Sequence, residues 1–82
     1  MKNHTDELRS LRKHIGNTIH HKRIEKGMTL RKLSRLANIN MEKLDQYEMG
    51  KNQIKLEDLF MIAHLLEIRI EHLLAQDRCS LQ

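Results

Sequence analysis

Eighty-two residues with a net charge of +4 make one small domain, near the lower limit of what folds alone, with little room for a deep catalytic cleft. Val, Trp and Pro are absent and Tyr47 and Phe60 are the only Tyr, Phe or Trp, a vocabulary that disfavours strands and favours packed helices. No apolar run approaches the roughly 20 residues of a membrane span, the polar start from Met1 to Glu7 is unlike a signal peptide, and lone Cys79 has no partner for an internal disulfide, so the expectation is a soluble cytoplasmic protein with no membrane association.

In chain order, Leu8, Leu11, Ile15, Ile19 and Ile24 fall at helical spacing. Asp6 and Glu7 suit a helix start and Lys26 a helix end, and Gly27 takes the position just past that end, where a positive φ is often needed. These signals predict a first helix over about 6–26, with a break at Gly16 left open. Thr29 is a good N-cap for a second helix carrying Leu30, Leu33, Leu36 and Ala37. Asn38-Ile39-Asn40 reads as a turn, with Asn38 able to adopt a left-handed conformation. Asn40 then caps a third helix through Glu48, turning Leu44 and Tyr47 inward, and Gly50 ends it. A fourth helix over Leu56 to Leu66 is expected to bury Leu56, Leu59, Phe60, Ile62, Ala63 and Leu66. A fifth begins near Ile70 and buries Ile70, Leu73 and Leu74. The fold class is all-α, a compact five-helix domain.

Thr29 to Glu48 thus reads as cap, eight-residue helix, three-residue turn, cap, eight-residue helix. That is the layout of a DNA-binding helix-turn-helix, whose second helix enters the major groove. Charge agrees: Met1 to Lys55 holds 13 Lys/Arg against 6 Asp/Glu, whereas Leu56 to Gln82 holds 2 against 5. A basic front section suits a polyanion.

From Ile15 to Leu74 the chain resembles the lambda repressor-like (Cro/repressor, XRE-type) helix-turn-helix family. Ile19, Arg23, Gly27-Met28-Thr29, Leu33, Ile39, Leu44, Tyr47-Glu48, Gly50, Leu59, Ile62-Ala63, Leu66, Ile68 and Leu73-Leu74 carry the resemblance. It implies a domain over 15–74, preceded by a helical extension over 1–14 that lengthens the first helix, and followed by a tail over 75–82. It implies that Arg23 and Glu48 form an ion pair tying the first helix to the end of the recognition helix. It places Met41, Glu42, Lys43 and Gln46 toward the bases. Gln pairs bidentately with adenine N6 and N7, Lys reaches guanine or a phosphate, Met touches a thymine methyl and Glu accepts from cytosine N4. Phosphate contacts would come from Arg23, Arg31, Lys32, Lys51, Asn52 and Lys55, setting register rather than sequence. The chain departs from the family at Leu30, which replaces a phosphate-binding Gln, at Asn38, which replaces the turn Gly, and in the acidic Glu42 and Asp45.

The expected function is a sequence-specific double-stranded-DNA-binding regulator, a repressor acting as a homodimer on an inverted repeat, with phage-repressor and restriction-modification controller roles both open. The alternative is an antitoxin-like or adaptor module whose partner is a protein and whose DNA affinity is weakened. No enzyme is expected, since no nucleophile, base and orienting group are set out and no glycine-rich phosphate loop is present. Six histidines (His4, His14, His20, His21, His64 and His72) lack the i, i+4 pairing with carboxylate support of a helical metal site, so neither metal nor cofactor is expected. Scarce aromatics disfavour single-stranded nucleic acid, which needs stacking platforms. Leu8 and Leu11, with Ile70, Leu73 and Leu74, offer apolar surface for the core and for a second copy.

Overall fold

The computed structural model describes residues 4–74. Cys79 and the tail over 75–82 lie outside them, as do residues 1–3. The described residues form five helices: α1 (His4–Glu25), α2 (Leu30–Ala37), α3 (Met41–Glu48), α4 (Leu56–Leu66) and α5 (Ile70–Leu74). No helix among them is long and apolar enough to cross a membrane.

Each of α1 to α4 ends in the same way. A residue with positive φ follows the last turn, and two backbone N–H groups fold back onto carbonyls that the helix leaves unpaired. Gly27 (φ 70°), Asn38 (φ 57°), Gly50 (φ 74°) and Glu67 (φ 58°) occupy that position. Gly27 N–H donates to Ile24 O and Met28 N–H to Arg23 O, and Gly50 and Lys51 do likewise toward Tyr47 and Gln46. Glu67 is the unexpected member, because a side chain there costs roughly 1–2 kcal/mol. Its carboxylate lies 2.7 Å from Lys26 Nζ, which joins the ends of α1 and α4 and lowers the Glu67 pKa through that hydrogen bond.

The helix starts are equally local. Thr29 Oγ1 accepts from Lys32 N–H at 3.0 Å, and Asn40 Oδ1 accepts from Glu42 N–H at 2.9 Å and Lys43 N–H at 3.2 Å. Ser34 Oγ donates across the turn to Ile39 O, so the α2–α3 angle is held by side chain as well as backbone.

The core gathers Ile15, Ile19, Leu33, Ala37, Ile39, Leu44, Tyr47, Leu59, Ile62, Ala63, Leu66, Ile68 and Leu73. α1 runs unbroken through Gly16 as the single first helix that the spacing predicts. Several expectations of burial fail. Leu8 and Ile24 are exposed: residues 6–10 are exposed throughout, so the first turns of α1 run past the packed helices, and Arg23 takes the inward position beside Ile24. On α4, Leu59, Ile62, Ala63 and Leu66 complete a buried stripe at i, i+3, i+4, i+7. Leu56 and Phe60 belong to the next face and are 67% and 52% exposed. Leu36 and Leu74 also face outward, and Ile70 is only partly buried.

Candidate nucleic-acid interface

α3 is packed by Leu44 and Tyr47, both fully buried, and this leaves the opposite face open. Met41, Glu42 and Met49 are exposed and Lys43, Asp45 and Gln46 partly so. Glu42, Gln46 and Met49 follow one another at i, i+4, i+7, a single stripe along the helix. Met49 was not among the sequence candidates, although its spacing from Gln46 was readable. Lys43 leans back, its Nζ 6.0 Å from the Tyr47 ring centre.

The C-terminal end of α3 is braced by α1. Arg23 Nε donates to Glu48 Oε2 at 2.6 Å and Nη2 to Glu48 Oε1 at 3.0 Å. Nη1 donates to Met28 O at 2.9 Å. The two side chains are 9% and 6% exposed, so this is a bidentate pair largely out of water. The Glu48 carboxylate holds the Arg23 pKa above its ordinary value, against the opposing effect of burial. His20 Nδ1–H donates to Glu48 Oε1 at 2.9 Å. With three of its five N–H groups so engaged, Arg23 has little to offer a phosphate.

Gly16 makes this approach possible. A Cβ at Gly16 would stand 2.5 Å from the carbonyl oxygens of both Tyr47 and Glu48, so only glycine lets α1 lie this close to the end of α3. The sequence gives a glycine within a helix, but the partner that requires it lies more than thirty residues away.

Around α3, Arg31, Lys32, Lys51 and Lys55 are exposed and Asn52 partly so. Arg31 and Arg35 line a groove of about 420 Å³ with Ser34, Asn38, Ile39, Asn40 and Met41, between α2 and the start of α3. Arg35 joins the basic set through its i+4 relation to Arg31, a signal that sequence reasoning passed over. Leu30 packs against the core, so the residue replacing the family's Gln serves the interior. Asn52 Nδ2 donates to Gln46 Oε1, a contact no periodicity announces. Among the described residues no three His, Cys, Asp or Glu side chains converge to hold a metal ion.

The helix-turn-helix family profile matches residues 19–73, two thirds of the chain and the whole of α2 to α4. The chain belongs to the helix-turn-helix family. As a member, it is a DNA-binding transcriptional regulator. No curated protein matches it by sequence. Among solved structures it is similar to the clp gene regulator ClgR from Corynebacterium glutamicum, with a TM-score of 0.74 and 28% identity, covering 78% of this chain and 68% of that one. It shares its fold with the restriction-modification controller protein C.AhdI from Aeromonas hydrophila, at TM-score 0.71 and 21% identity over 76% of this chain and 94% of the other. The hypothetical transcription factor NHTF from Neisseria has the same fold, at TM-score 0.76 and 21% identity over 87% and 82%.

Proposed function

We propose that this helix-turn-helix protein is a repressor that binds an inverted repeat as a homodimer, with α3 in the major groove of each half-site. The observation that carries the reading is the divided surface of α3. Leu44 and Tyr47 lock one face into the core, while Met41, Glu42, Lys43 and Gln46 stand on the side left to solvent or at its margin. Gln46 reads adenine through N6 and N7, Met41 meets a thymine methyl, Glu42 accepts from cytosine N4, and Lys43 takes guanine or a phosphate. Arg31, Lys32, Lys51 and Lys55 hold the phosphates, with Arg23 acting chiefly as the brace and Asn52 bonded instead to Gln46. A homodimer sets two α3 helices about 34 Å apart, one turn of the duplex.

The test is selection from a random duplex library by purified protein at roughly 150 mM salt, a concentration at which phosphate contacts alone bind weakly, followed by sequencing. An enriched inverted repeat is expected, together with dimer mass in light scattering. Affinity should fall with salt at a log–log slope of about −0.9 per phosphate contact. Folded protein that enriches no sequence overturns the reading and favours the protein-adaptor alternative, for which the acidic Glu42 and Asp45 on α3 would be the reason.

A further inference from the structure

We propose that Asn52 is a positioning residue that fixes the orientation of the Gln46 amide and thereby the base choice at that position. The inference rests on the reading of α3 as the groove-facing helix.

The arrangement begins with Gly50. Its positive φ turns the chain back on leaving α3, and Lys51 N–H closes the turn by donating to the backbone carbonyl of Gln46 at 3.0 Å. The next residue, Asn52, is thereby brought over the Gln46 side chain, and its Nδ2 donates to Gln46 Oε1 at 2.5 Å. Gln46 is therefore tied to the same short segment by its backbone oxygen and by its amide oxygen. Both side chains are only partly exposed, so solvent competes less for the bond than at a free surface.

A glutamine amide has a donor end and an acceptor end of nearly the same shape. Its reading of a base depends on which end lies where. Asn52 occupies one lone pair of Oε1 and leaves both Nε2 hydrogens free. The free donor end suits a purine N7, and the second lone pair of Oε1 remains for adenine N6–H. With Asn52 removed, the amide turns over freely and must be ordered at the moment of binding. Aspartate at 52 has only acceptors, so it would hold Gln46 by Nε2 and turn the oxygen outward, toward a base edge that offers N–H, as cytosine N4 does.

The experiment compares the full chain with Gln46→Ala, Asn52→Ala, Asn52→Asp and the Gln46→Ala/Asn52→Ala double variant, by duplex selection and by competition titration against single base-pair changes. Circular dichroism melts verify that each is folded. The base pair whose preference disappears in Gln46→Ala is the one that Gln46 reads. At that base pair Asn52→Ala is expected to lower purine discrimination roughly fivefold, the scale of ordering one flexible side chain, with other positions unchanged. Asn52→Asp should move the preference toward cytosine. In the double variant the loss of Asn52 should add nothing at that base pair. Uniform weakening on every sequence that persists in the double variant would make Asn52 a phosphate contact and overturn the proposal, as would an unaltered preference in both Asn52→Ala and Asn52→Asp. A wild-type chain that enriches nothing overturns instead the reading of α3 itself, and shows it before any variant is made.

Discussion

The α2–α3 pair and α4 are both short and rich in apolar residues, yet they answer to different physics. In α2–α3, boundaries and inward faces follow from side chains acting on their own backbone: Thr29 and Asn40 cap the starts, and Asn38 turns left-handed to close α2. In α4 the ends are less informative, since Lys55 makes no side-chain cap and a glutamate closes the helix. Its apolar residues also run nearly all the way round: Leu56, Leu59, Phe60, Met61, Ile62, Ala63, Leu65 and Leu66. Local hydrogen-bond chemistry is written within a few residues of where it acts. Which face of a helix that is apolar nearly all round goes inside is decided by partners elsewhere in the chain.

The sharpest break of that contrast is at the end of α3, where local signals are joined by one long-range brace. Arg23→Ala leaves Glu48 charged and nearly buried without its bidentate partner, and should cost about 3–5 kcal/mol. Chemical denaturation of the full chain measures it. A loss below 1 kcal/mol would mean that the pair behaves like an exposed one.

Gly16→Ala tests the same contact from the other side. Helix propensity alone favours alanine by about 0.5–1 kcal/mol. The Cβ would, however, meet two backbone carbonyls at 2.5 Å, which cannot swing aside as a side-chain tip would. A net destabilisation of about 1–3 kcal/mol is expected, read as a lower denaturation midpoint. A stabilised variant would show that α1 does not lie this close to α3.

Tyr47 links α3 to α4, its hydroxyl donating to Asp58 Oδ2 at 2.7 Å. Burial first, and then that bond, push the phenol up to about 12. Because the folded value lies above the ordinary one near 10, the neutral phenol supports the fold fully below pH 10, and that support is lost as pH rises through 12. Two units correspond to about 2–3 kcal/mol. Tyr47 is the only tyrosine and there is no tryptophan, so phenolate absorbance titrates this one group. A midpoint near 10 in the folded protein would mean that the ring is not sealed in the core.

Thr29→Ala should cost about 1 kcal/mol, the usual worth of an N-cap oxygen, and this is the scale of what was legible locally. All five helices, the positive φ at Gly27 and Asn38, and the caps at Thr29 and Asn40 were within reach of the sequence, because each depends on neighbours a few positions away. The groove-facing and phosphate-facing residues were inferred from resemblance, and the structure adds what spacing cannot carry: the Asn52–Gln46 bond and the need for glycine at 16. Each of these depends on chain folding back from outside the local helical period.

The smallest effect is the most discriminating between the two regions, because it concerns adjacent residues of one helix. Leu59 is nearly sealed and Phe60 is half in water. Leu59→Ala should lose about 2–5 kcal/mol, as buried leucines do. Phe60→Ala removes a larger side chain from a solvated face and should change the stability of the monomer by less than about 0.5 kcal/mol. Thermal melts at low protein concentration compare them on equal terms. Were Phe60→Ala the costlier change under those conditions, α4 would be turned about its axis so that Phe60 rather than Leu59 met the core.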